Sequence, residues 1–172
     1  AGHHAQLAAR KAFRSVGPSQ NRTPAAPPPS GPEYLLVDGY NVIFAWDELK
    51  KIAAENLDAA RRRLMDILCN YAGYRKCVPI LVFDAYRVKG AGREQETWHT
   101  LHVIYTREAE TADMFIERAT HELAKNHRVR VVSSDGAEQI IILGNGALRV
   151  SARAFEREVR AVEAEIREFL DQ

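Results

Sequence analysis

Hydrophobic positions change their spacing repeatedly along the chain, and the changes predict alternating strands and helices. Tyr34–Val37 is a short apolar run ending in Asp38, and Pro79–Phe83 is another ending in Asp84. His102–Tyr105 is a weaker run, and Val129–Val132 is a fourth, followed by Ser133, Ser134 and Asp135. Between them the spacing becomes helical. Leu57, Ala60, Leu64, Leu68 and Tyr71 form one stripe, and Ala112, Phe115, Ile116, Ala119 and Leu123 form a second that Thr111 is placed to cap. Glu138–Leu143 reads as a short helix ended by Gly144. Ser151 opens a last helix carrying Phe155, Val159, Val162, Ile166 and Phe169.

Unbroken apolar runs indicate strands buried on both faces, and helices between them supply the cover. The expected fold is α/β, a three-layer α/β/α sandwich around a central parallel sheet. In such sheets ligands bind outside the carboxyl ends of the strands.

Before Glu33 the pattern is different. Six of the seven prolines lie in residues 17–32, and proline fixes φ and removes a donor, so this stretch predicts an extended linker. Residues 1–32 carry Arg10, Lys11, Arg14 and Arg22 and no acid, while the remainder is slightly acidic. The expected organisation is a basic N-terminal segment with a Pro-rich linker, residues 1–32, followed by a folded domain over residues 33–172. The expected role of the linker is to tether that domain to a preceding one.

Composition excludes little else. No apolar run approaches the roughly 18 residues of a membrane span. Cys69 and Cys77 stand in unlike contexts and suit free thiols, which points to a reducing, cytoplasmic setting. The overall charge of +1 does not advertise nucleic acid, so any basic surface must be local.

The strand ends carry the chemistry. Asp38, Asp84 and Asp135 each sit at or just beyond a strand's carboxyl end, on one edge of the sheet if the strands are parallel. Asp113 joins them if its helix starts at that edge, and Glu110 stands three residues earlier on the same side of the first turn. Several carboxylates in one cleft repel each other, and a hard divalent cation, Mg2+ or Mn2+, relieves the conflict. Such ions can activate water against a phosphodiester, with no nucleophilic side chain required. Arg87, Lys89 and Arg93 lie in a glycine-containing stretch directly after Asp84, where they could hold RNA phosphates, and Thr106 and Arg107 fall at the same edge. Gly39 would let the chain turn tightly after the first strand. Asn41 suits either a hydrogen bond to that turn or a contact with metal or phosphate, and Tyr40 either packing or base stacking. Arg61, Arg62 and Arg63 are consecutive and read as a solvated helix face. His99 and His102 lack the further ligands a zinc site needs. Gly144-Asn145-Gly146 follows a predicted helix, not a strand, so it is no dinucleotide fingerprint.

Leu-Val-Asp38-Gly39-Tyr40-Asn41, Phe83-Asp84-Ala85-Tyr86, Tyr105-Thr106-Arg107-Glu108-Ala109-Glu110-Thr111-Ala112-Asp113 and Ser133-Ser134-Asp135-Gly136 occur in that order, followed by Gly146-Ala147 and Ser151-Ala152-Arg153. Over residues 34–160 this series resembles the NYN domains of the YacP-like group, a branch of the PIN-like nucleases. One departure is Tyr86, where much of the group has His, and it bears on substrate contacts. The resemblance implies a PIN-like sandwich and metal-dependent endonucleolytic cleavage of RNA. Its implied acidic ligands are Asp38, Asp84, Asp113 and Asp135, with Glu110 beside them. It also implies RNA handling on or near ribosomes, and with it a translation-associated domain before the linker. Two other readings stand beside it: an RNA-binding module without useful catalysis alone, and a metal-dependent phosphatase. No D-x-D-x-T/V motif is present to support a dehalogenase-type version of the latter.

Overall fold

The computed structural model describes residues 29–84, 95–134, 141–142 and 144–172. Arg87, Lys89, Arg93, Asp135 and the whole of 1–28 lie outside the described residues.

Strand β1 (Tyr34–Asp38) is followed by helices α1 (Gly39–Ala45), α2 (Asp47–Glu55) and α3 (Leu57–Arg75), then by β2 (Val78–Phe83). A hairpin of β3 (Gln95–Trp98) and β4 (Leu101–Tyr105) leads to α4 (Ala112–Leu123) and β5 (Val129–Ser133). The chain ends with β6 (Ile141–Ile142), β7 (Leu148–Ser151) and α5 (Ala152–Leu170). The sheet order is β3-β4-β2-β1-β5-β7-β6. Its five inner strands are parallel, as the unbroken apolar runs require, and both edge strands pair antiparallel.

Two cores enclose the sheet. Leu35, Val37, Leu81, Phe83 and Val132 face a thick layer built from α1, α2, α3 and α5. Leu36, Val82, Val129 and Val131 face α4 through Ala112 and Ile116. Trp46 locks the thick layer, fully buried, with its indole N–H donating 2.8 Å to the Ala152 carbonyl. Helix starts follow their caps: the side chains of Asn56, Thr111 and Ser151 accept from Ala59, Met114 and Ala154 amides.

The central sheet is parallel as expected, with an antiparallel strand added at each edge. Two expectations need correction. Ile141 and Ile142 form a strand against β7, not part of a helix, since β-branched residues on a short edge pair readily with an antiparallel neighbour. Arg61 is not on a solvated face: it is 8% exposed and donates 3.3 Å to the Tyr40 hydroxyl and 3.0 Å to Asp58. Its neighbours Arg62 and Arg63 do lie outward.

Candidate active site

The chain runs from β1 outward to β2 and β4, then returns to β5 on the other side of β1. That reversal opens a crevice above the carboxyl ends of β1 and β5, where open α/β sheets bind ligands. Val37 pairs with Val132, which sets Asp38 level with Ser133 across the crevice.

Asp38 stands at the joint between β1 and α1. Its carboxylate caps the helix, accepting 3.4 Å from the Asn41 backbone amide and 2.9 Å from the Asn41 side-chain amide. Asn41 thus bonds the acidic side chain itself, rather than the turn backbone. Burial pushes the Asp38 carboxyl up from 3.8 to about 6; the Asn41 amide opposes this, and the Asp84 and Asp113 carboxylates raise it further. Asp84 and Asp113 thus stand within electrostatic reach of Asp38.

Gly39 is needed for space, not for an unusual turn. It has ordinary helical φ as the first residue of α1, but a Cβ there would come within 2.2 Å of the Phe83 ring. Phe83 is fully buried between Tyr40 and Tyr105, with ring centroids 5.0 and 6.0 Å away. Tyr40 is a packing residue at 4% exposure.

Asp84 follows Phe83 at the end of β2 and accepts a 2.7 Å hydrogen bond from the Ala112 amide at the start of α4. Negative charge is favoured at a helix N-terminus. Asp113, exposed in the first turn of α4, therefore shares its helix end with Asp84. Glu110 pairs with Arg118 at 3.0 Å and lines a cavity of about 360 Å3 together with Thr106 and Arg107. Thr106 is buried, its amide bonded to the Phe83 carbonyl, and Arg107 is exposed.

One polar residue escaped the sequence reading. Arg149 on β7 donates 2.8 Å to the Ser133 hydroxyl and 3.3 Å to the Ser134 carbonyl, bracing the end of β5 just before Asp135. The signal was there in Leu148–Ser151, a short alternating run that reads as a strand once the preceding segment is not assigned to a helix.

Oxygen donors without thiol or imidazole are the set that magnesium and manganese prefer. Among the described residues, no three His, Cys, Asp or Glu side chains close tightly enough to enclose an ion unaided.

A family model for the YacP-like NYN domain matches residues 35–172, the whole of this architecture. The chain belongs to the YacP-like NYN family. It is 44% identical over 135 residues to the YacP protein of Bacillus subtilis (strain 168), covering 78% of this chain and 79% of that one. The crystal structure of Rae1 (YacP) from Bacillus subtilis superposes with a TM-score of 0.68 at 42% identity, over 80% of this chain and 79% of that one. A point variant of that protein gives 0.64 at 40% identity, over 78% and 79%. This NYN domain is a nuclease-type, PIN-like fold. Among its described residues, no helix is long and apolar enough to cross a membrane.

Proposed function

We propose that the domain is a metal-dependent endoribonuclease whose acidic centre comprises Asp38, Asp84, Asp113 and Asp135. The observation that carries this reading is the burial of Asp38 at the switch point of the sheet, which lifts its carboxyl to about 6, with the Asp84 and Asp113 carboxylates raising it further. A cluster of that kind is poorly suited to stand alone at neutral pH and well suited to a hard cation. Mg2+ keeps several of its waters and takes one or two carboxylates, so the three described aspartates need not all touch it. When bound, such an ion activates water and steadies the leaving oxygen of a phosphodiester.

The protein groups then have distinct tasks. Asn41 orients the Asp38 carboxylate through both of its oxygens. Asp84 ties the end of β2 to the start of α4 and so sets where Asp113 stands. Arg149 holds the serines that precede Asp135. Arg87, Lys89 and Arg93, with Thr106 and Arg107, are the proposed RNA contacts, and Glu110, paired with Arg118 in the cavity that Thr106 and Arg107 line, is the proposed acid beside the metal set.

The substrate is RNA, and the setting suggested by the family resemblance is messenger RNA on the ribosome, in the cytoplasm, with residues 17–32 tethering the domain to a translation-associated partner. The test is cleavage of naked RNA and of purified ribosome–mRNA complexes, with Mg2+ or Mn2+ and with a chelator. Divalent-dependent cutting that Asp38→Asn abolishes is expected. RNA binding with no cutting of either substrate would reduce the domain to a binding module.

A further inference from the structure

Helix α4 alone, among the described helices, packs on its face of the sheet. It lies over β1, β2 and β5, and among the described residues no second helix lies over the β5–β7 flank on this face. There a cavity of about 350 Å3 opens, walled by Asp113, Ile116, Thr120, Val131, Ser133 and Arg149. Small-ligand pockets run from roughly 300 to 1,000 Å3 and combine apolar walls with a few directed polar groups. Asp113 belongs to both this cavity and the acidic cluster, so the two spaces adjoin.

The lining decides what chemistry fits. Asp113 and Glu117 place two carboxylates at the wall, and the Arg149 guanidinium already donates to Ser133 and Ser134. That is no anion hole, and a phosphate would be repelled. Ile116 and Val131 offer apolar surface. The fixed guanidinium plane is a surface on which a flat ring can stack. Thr120 adds a further mark: it is 2% exposed, and its hydroxyl is the one buried side-chain polar atom without a hydrogen-bond partner among the described residues. Folded proteins seldom leave such a group unpaired unless a ligand or water completes it.

We propose that this cavity is a subsite for one nucleoside of a single-stranded RNA, adjoining the phosphate that is cut. The inference rests on the nuclease reading for the origin of that nucleoside and on the cavity's own lining for its chemistry. A neutral ring with hydrogen-bonding edges suits apolar walls and the Thr120 and Ser133 hydroxyls, while its phosphate stays outside at the acidic cluster.

Adenosine, guanosine, cytidine and uridine, titrated separately into the whole protein in chelator and followed by amide NMR, test this. Saturable shifts at Thr120, Ser133 and Arg149, with one nucleoside preferred, are expected. Thr120→Val should weaken that binding roughly three- to tenfold, the effect of one lost hydrogen bond, without lowering the thermal midpoint. Arg149→Lys, which keeps the charge and loses the plane, should weaken it too. No saturable binding by any nucleoside, or equal affinity in both variants, overturns the subsite. The outcomes separate from those of the nuclease reading. RNA cutting without nucleoside binding sinks only the subsite. Thr120-dependent binding without RNA cutting sinks the nuclease and leaves a nucleoside site.

Discussion

The Asp84 carboxylate accepts a 2.7 Å hydrogen bond from the Ala112 amide, so a strand ending in one acidic residue holds the helix that carries another. Structure and charge can be separated there. Asp84→Asn keeps an acceptor for the Ala112 amide and should leave the thermal midpoint within a few degrees while sharply reducing cleavage. Asp84→Ala loses both and should cost about 1 kcal/mol in addition, the usual value of a lost helix-start acceptor. Equal stability of the two variants in urea unfolding would remove the structural half of this assignment.

Asp38 should make metal-free stability fall with rising pH. Its carboxyl is raised in the folded state, from 3.8 to about 6, so folding favours the protonated form. The stability this adds is full below about pH 4 and lost as pH climbs through 6. In chelator, Asp38→Asn should therefore be more stable than the parent at pH 7.5, by on the order of 1–2 kcal/mol, and the advantage should vanish at pH 4. Divalent metal should stabilise the parent and not the variant. Thermal melts at both pH values, with and without Mn2+, check the sign.

Gly39→Ala should destabilise by about 1–3 kcal/mol, because the added methyl meets a fully buried ring rather than a loose side chain. A second change, Phe83→Leu, should make the alanine cheaper than it is alone. Additive losses in the double-mutant cycle would show that the ring is not what excludes a side chain at 39.

Changing Arg87, Lys89 and Arg93 together to Ala should weaken RNA binding and flatten its dependence on salt, since fewer counterions are released. Manganese affinity should not move. An unaltered salt slope would count these residues as ordinary surface.

A chain beginning at Pro29 should keep the fold and its cutting of naked RNA, since the described domain grips its N-terminal strand from Gly31 onward. The Arg128 guanidinium donates to the Gly31 carbonyl, and Arg130 bridges Glu33 and Glu158 at 3.1 and 2.7 Å. A chain beginning at Tyr34 leaves Arg130 half-paired and should lose about 1–2 kcal/mol. Urea titration of the two truncations reads the difference.

The parts of the fold that were legible in the sequence are those whose cause is local. Unbroken runs such as Pro79–Phe83 announce buried strands, and Thr111 and Ser151 announce helix starts. The edge strand Gln95–Trp98 and the inner strand Leu148–Ser151 were not legible, because each has only four residues and takes its form from the neighbour it pairs with. Helices α1 and α2 were hidden by brevity, with Trp46 breaking them apart. At the candidate site, the apolar runs were enough to place Asp38 and Asp84 at strand ends. They were not enough to pair Glu110 with Arg118, or to bury Arg61 against Tyr40, since both contacts depend on how separate elements pack.

Strand β1 starts at the edge of the sheet opposite the acidic cluster, and α5 runs back to that same edge, where Glu165 meets Tyr74 near the end of α3. Both ends of the described domain therefore leave by the rear. A fusion at either end works like a handle: it can be long, bulky or bound to something large without shadowing the strand ends where the aspartates stand.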